Sequence, residues 1–391
     1  MHAQKLLLVS AVTLALAACG QKEAAPTQAA TAEPGEVVVK IGHAAPLSGP
    51  VAHMGKDADN GVAIALDEAN AEGLVIGGQK VKFELVSADD AGDPKTATQV
   101  AQRFVDDKIV GLVGHLTSGP TITASKIYAE AGIPQITPSA TSPQVTSQGY
   151  KNVFRMIADD VQQGQAMAEF VVNKQGIKKI AVVDDRTAYG QGVADEFEKA
   201  AKAAGAEIVK REFTNDKATD FTAILTAIKA ANPDAIYYGG MDAQAGPMAR
   251  QMQKLGIKAK LFGSDGLYTP VFLQLSGDAG EGQYSSQPGA PRDKLPGYTS
   301  FEEKLKAKTG AGVVLYSTYA YDAARVLVDA MKRADSVDPA KYLPAVQQSK
   351  FNGATGLVEF DEAGNRKNGA VTIYQVRNGQ WEIADVVGGG Q

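Results

Sequence analysis

Cysteine is all but missing, since Cys19 is the single one among 391 residues. That excludes an internal disulfide, a CxxC redox pair and a multi-thiolate metal site. Histidine is scarce too, with only His2, His43, His53 and His115. A Ser/His/Asp triad would have to use His115 with Ser118 and an acid, yet no GxSxG elbow accompanies them, and residues on one loop do not give a triad its geometry. HExxH and GxxxxGK[ST] are absent, and Gly190-Gln191-Gly192 lacks the rest of a dinucleotide fingerprint. Asp89-Asp90 and Asp184-Asp185 are paired acids without further oxygen ligands at fixed spacing, so they read as ordinary strand-end residues. The expectation is no catalysis, no metal and no cofactor, with His115 a satisfied structural histidine. Basic blocks are missing as well: Lys plus Arg number 39 against 44 Asp plus Glu, a net charge of -5. Nothing here neutralises a row of phosphates, so nucleic acid is not an expected partner.

Long apolar runs are confined to the amino end, which argues against a polytopic membrane protein. Lys5 precedes a 13-residue apolar and small stretch at 6–18. That is too short to span a bilayer and reads as an export signal over residues 1–18. It ends in Leu16-Ala17-Ala18-Cys19-Gly20, which resembles the bacterial lipobox, where the cysteine thiol accepts a diacylglycerol. The alternative is a plain cleavage site beside a stray cysteine. Residues 19–36 carry no large apolar side chain before the first strand and cannot bury enough surface to fold. They are expected to be a lipidated flexible tether, with a reach of roughly 20 to 24 Å.

At about 150 residues per domain, the length predicts two to three domains. Residues 37–42 form a near-continuous apolar run, the mark of a strand covered on both faces. Ala58, Val62, Ala65, Leu66 and Ala69 then recur with helical spacing, and 80–86 alternates as a half-buried strand near a sheet edge. Asp93-Pro94 signals the start of a helix carrying Ala97, Val100, Phe104 and Val105. Strands at 109–114 and 133–137 flank a helix at 121–131, giving the βαβαβ order of a parallel sheet. The pattern then restarts, with strands at 180–183, 207–213, 235–238 and 260–263 between helices at 161–175, 193–204, 221–231 and 248–255. Two further helices, at 295–308 and 316–333, and strands at 357–360, 371–376 and 381–383 complete the chain, the last two joined by an Asn378-Gly379 hairpin signal. The fold class is α/β, with two doubly wound parallel-sheet lobes.

Ligands of such sheets sit beyond the carboxyl ends of the strands. In the first lobe those loops carry Ser118 and the run Ser139-Ala140-Thr141, and in the second Asp184-Asp185, Tyr189, Met241 and Asp265. Hydroxyls and free N–H groups at a helix start suit a carboxylate, and acids opposite them suit an ammonium, so the division fits a zwitterion. Each hydroxyl is equally suited to capping a helix or turn.

Residues 41–50, Asp89-Asp90 with Asp93-Pro94, Val113-Gly114-His115, Ile136-Thr137-Pro138-Ser139-Ala140-Thr141, Tyr189-Gly190-Gln191-Gly192 and Tyr237-Tyr238-Gly239-Gly240 follow one another in an order similar to that of the leucine/isoleucine/valine-binding proteins of bacterial ABC importers. The resemblance covers 37–383. It implies the type I periplasmic binding protein fold, with a three-strand hinge and discontinuous lobes, here 37–157 with 288–355 and 158–287 with 356–391. It also implies that Ser118 and Ser139-Ala140-Thr141 hold the α-carboxylate and α-ammonium, that Tyr189 closes over the ligand, and that Asp265 meets the ammonium. Met54 and Met241 stand where well-known members place tyrosines, and either form a permissive apolar wall or fill the lobe cores. The resemblance further implies an aliphatic amino acid ligand, ABC permease subunits as partners and a monomeric body. The expected location is periplasmic, with Cys19 as membrane anchor. Receptors for short amides or urea and sensing modules share the fold and remain alternatives.

Overall fold

The computed structural model describes residues 35–367 and 369–388. The expected signal, Cys19 and most of the tether lie outside the described residues. Glu36, expected to end the tether, instead opens β1 (Glu36–Ala45) and pairs with Lys80. The first lobe continues with α1 (Ala52–Ala71), β2 (Val75–Ile76), β3 (Gln79–Asp89), α2 (Pro94–Asp106), β4 (Gly111–Gly114), α3 (Ser118–Glu130), β5 (Gln135–Thr137), α4 (Gln144–Ser147) and β6 (Val153–Arg155). Its sheet runs β2-β3-β1-β4-β5-β6, parallel except for β2. β1 is central and buried from Ile41 to Ala45, as a strand covered on both faces must be. Every apolar position expected along α1 is buried, and Asp93 accepts from Thr96 N at 2.7 Å to cap α2.

The second lobe opens with α5 (Asp160–Ala168), which runs on as a π-helical turn at Glu169–Lys174. It then alternates β7 (Lys179–Asp184), α6 (Ala188–Ala203), β8 (Glu207–Phe213), α7 (Thr222–Ala230), β9 (Ala235–Gly239), α8 (Asp242–Lys254), β10 (Lys260–Gly263), α9 (Pro270–Ser276) and β11 (Tyr284–Pro288). The chain returns to the first lobe for α10 (Tyr298–Thr309), α11 (Ser317–Ala334), α12 (Pro339–Gln347) and the ribbon of β12 (Phe351–Gly353) and β13 (Gly356–Val358), with α11 lying along α1. It crosses a third time to add β14 (Val371–Arg377) and β15 (Gln380–Val387). The second sheet runs β15-β14-β11-β10-β9-β7-β8, with the last two strands antiparallel. Asn378 and Gly379 both take positive φ, 52° and 70°, as the tight β14–β15 turn requires.

Three expectations are corrected. α8 begins at Asp242, six residues before the expected 248, with Pro247 accommodated inside it. β6, β11, α9 and α12 were not anticipated. Residues 356–366, expected in the second lobe, stay with the first, because β13 pairs with β12 and Asn365 Oδ1 accepts from the guanidinium of Arg155 at the end of β6.

Candidate functional site

The loop after β5 is built by hydrogen bonds to its own floor. Thr137 Oγ1 donates to His115 O at 2.8 Å and accepts from Ala140 N at 2.9 Å. Ser139 Oγ donates to Leu116 O at 2.6 Å. The buried Arg155 guanidinium lies beneath, donating to Thr141 O at 2.9 Å and Ser142 O at 2.7 Å. Ser118 begins α3, whose first N–H groups have no intrahelical partner, and its Oγ accepts from Ser142 N at 3.2 Å. Ser118, Ser139 and Thr141 therefore lie within one buried unit of the first lobe. Ala140 turns its methyl into a small core with Val145 and Val153, leaving only its backbone for a ligand.

Two second-lobe aspartates face this unit. Asp265, two residues beyond β10, is fully buried. Its Oδ1 accepts from Tyr189 OH at 2.8 Å and Ser264 Oγ at 3.1 Å, and its Oδ2 accepts from Tyr316 OH at 2.5 Å. Tyr189 OH in turn accepts from Gly266 N at 2.9 Å. Burial pushes the Asp265 carboxyl up, while the hydroxyls of Tyr316, Tyr189 and Ser264 pull it back. Tyr316 comes from the first lobe, where Asp57 accepts from the backbone N–H groups of Val314, Leu315, Tyr316 and Ser317 and fixes the start of α11. Its bond to Asp265 thus spans the cleft.

Asp160, in the first turn of α5, is the other acid, and it was missed because it sits at a helix start rather than beyond a strand. Both its oxygens are buried without a hydrogen-bond partner, and so is Thr141 Oγ1. The two side chains are close, since the Thr141 hydroxyl draws the Asp160 carboxyl down, but not in full hydrogen-bond geometry. Burial dominates and pushes that carboxyl well above the carboxylate range, with Arg155 opposing and Asp265 adding to the rise. A Cβ at Gly192 of α6 would stand 2.5 Å from Asp160 Oδ2, so only glycine leaves the carboxylate its place.

Met54 is fully buried in the large apolar cluster, which takes in Tyr268 and Tyr374 of the second lobe as well as first-lobe residues, and Met241, half-buried on the second lobe, packs against that same cluster. His115 is engaged on both nitrogens, by Asp90 Oδ2 at 2.6 Å and Tyr128 OH at 3.1 Å, and not by Ser118. That removes the triad. Among the described residues, no three His, Cys, Asp or Glu side chains gather as a metal site, and no helix is long and apolar enough to cross a membrane.

Two α/β lobes with buried polar groups facing each other beyond their strand ends match the periplasmic binding protein family over residues 38–380. The chain belongs to that family. A leucine-, isoleucine-, valine-, threonine- and alanine-binding protein of Pseudomonas aeruginosa is 35% identical to it over 337 residues, 86% of this chain and 89% of that one. The leucine-binding protein of Thermotoga maritima superposes with a TM-score of 0.82 at 30% identity, covering 89% of this chain and 98% of its own. A branched-chain amino acid transporter substrate-binding protein of Streptococcus pneumoniae, solved with isoleucine, gives 0.81 at 28% identity over 90% and 100%. As a periplasmic binding protein the chain has the type I fold of these structures. It is a solute-binding protein and not an enzyme.

Proposed function

We propose that this periplasmic binding protein captures an aliphatic amino acid as a zwitterion between its lobes and delivers it to the membrane subunits of an ABC importer. The observation that carries this reading is the trio of buried, unpartnered oxygens, Thr141 Oγ1 with Asp160 Oδ1 and Oδ2. A buried carboxylate without donors is costly until a cation reaches it, and an ammonium brings three N–H donors. Asp160 and Thr141 receive the ammonium, with Asp265 adding negative potential nearby. The Ser118 hydroxyl and the amino end of α3 receive the carboxylate. Met54 and Met241 line the side-chain pocket under Tyr189, and methionine tolerates several aliphatic shapes. The ligands named for the Pseudomonas and Streptococcus relatives support this class. A neutral amide could donate to Asp160 but would leave its charge uncompensated, which disfavours that alternative.

The lobes close by bending at the three crossings, and contacts made only in the closed form supply the differential affinity that drives closure. The body works as a monomer in the periplasm, held to the membrane through lipidated Cys19. Detergent-extractable membrane attachment that persists in Cys19→Ala would overturn the anchor. Calorimetry with L-leucine and 4-methylpentanoate tests the ligand class. The acid lacks the ammonium and should bind at least a hundredfold more weakly, and equal affinities would overturn the zwitterion reading.

A further inference from the structure

A second polar contact spans the cleft away from the zwitterion site. His53, in the first turn of α1, places Nε2 at 2.7 Å from Asp242 Oδ2, in the first turn of α8 on the other lobe. Asp242 is fully buried, and Thr269 Oγ1, on its own lobe, donates to the same oxygen at 2.5 Å. Its Oδ1 is buried without a partner. Among the described residues no lysine or arginine pairs with Asp242, so His53 is the basic side chain that meets it. The chain neighbours of the pair are Met54, buried in the large apolar cluster, and Met241, half-buried against that same cluster, which takes in residues of both lobes. The polar bond therefore sits beside an apolar cluster to which both lobes contribute.

We propose that His53 and Asp242 form a latch, a pair of positioning residues that touch no ligand group, hold the lobes shut and so set how long bound ligand stays. The inference rests on the lobe closure of the functional reading. When the lobes part, Asp242 keeps Thr269 but loses His53 to water. The bond then exists only in the closed form and biases that form by its full strength. Its loss should appear in the dissociation rate and hardly in association, because encounter takes place in the open form.

Trp381, the one tryptophan of the chain, donates from Nε1 to Thr269 O at 3.1 Å and reports on this corner by fluorescence. Stopped-flow release of L-leucine from wild type, His53→Ala, His53→Gln, Asp242→Asn and the double variant His53→Ala/Asp242→Asn gives the test. His53→Ala should release leucine about tenfold or more faster, the range for a charge-assisted hydrogen bond, with the association rate nearly unchanged. His53→Gln keeps a donor and should recover part of the loss. The double variant should be little faster than either single one. Release from His53→Ala within twofold of wild type, or fully multiplicative effects in the double variant, would overturn the latch. If wild type binds no aliphatic amino acid, the ligand reading has failed, and the latch is then read by solution scattering of the ligand-free protein. There wild type must be more compact than His53→Ala, and equal radii of gyration would overturn it.

Discussion

Asp160 and Asp265 are both fully buried aspartates of the second lobe, and burial pushes both carboxyls up, but their surroundings differ. Asp265 is met by Tyr189, Ser264 and Tyr316, so its desolvation is offset inside the protein. Asp160 faces one hydroxyl that does not reach hydrogen-bond geometry. An acid satisfied by its own chain is a structural post. One left unsatisfied in an interior is poised for a cation from outside, and its cost in the empty protein is recovered when ligand binds.

The strongest way to break this comparison is Asp160→Asn. Truncating one member of a buried charged pair costs about 2 to 5 kcal/mol, so leucine affinity should fall by about thirtyfold to several thousandfold in calorimetry. The same change should stabilise the ligand-free protein. A carboxyl whose folded pKa is raised holds the folded state best below its unfolded value, and that advantage is lost as pH rises through the folded pKa. At pH 7, above the unfolded pKa, Asp160 therefore weighs against folding, and the neutral amide removes that weight. A rise of about 2 to 4 °C in Tm, the shift that 1 kcal/mol makes in domains of this size, is expected by scanning calorimetry. A fall in Tm would make Asp160 a structural post like Asp265.

Thr141→Ala removes a hydroxyl that meets the charged ligand and should weaken leucine about ten- to a hundredfold at unchanged Tm. The pH response is next. Leucine needs Asp160 ionised, so affinity should decline as pH is lowered through the raised Asp160 pKa, by up to about tenfold per unit, and the decline should flatten in Asp160→Asn. Asp265→Asn should cost less than about tenfold, because the amide oxygen still accepts from Tyr189 and the Tyr316 hydroxyl can turn to accept from the amide N–H, each such bond contributing about 1 kcal/mol. If it costs more than Asp160→Asn, the roles are reversed. The smallest effect should separate leucine from valine: one fewer buried methylene is about 0.8 kcal/mol, roughly fourfold.

Much of this was legible in the residues, for reasons that also explain the gaps. The strand at 207–213 and the one at 260–263 keep the bounds their apolar and turn residues predict. β11 gives no apolar run because its centre is Ser285, Ser286 and Gln287, and the two serines are held through hydrogen bonds to Ser264 O and Gln163 Oε1. α8 was shortened because Pro247 and the small residues before it read as a loop. Ser118, Thr141, Tyr189 and Asp265 follow from their places beyond strand ends. Asp160 does not, because Asp159 beside it makes the capping box with Gln162 and accounts for an acid at that helix start. Only the third dimension shows that the second acid of the pair is buried and unpaired. Tyr316 was likewise read as the first residue of a long helix, and nothing in its spacing announces that its hydroxyl reaches the other lobe.

Arg155 grips two things at once. One edge of its guanidinium holds the carbonyls of Thr141 and Ser142, and the other holds Thr146 Oγ1 and Asn365 Oδ1, in the segment that leads into the third crossing. The floor of the proposed site and the segment before the third crossing are bolted together by one side chain. Such a floor does not reshape by itself to admit a different solute, because any shift in it would break hydrogen bonds of the buried guanidinium. Retuning selectivity in this scaffold is accordingly a task for side chains that come in from the far lobe, Met241 first among them, while the bolted side keeps its grip on the groups that every amino acid shares.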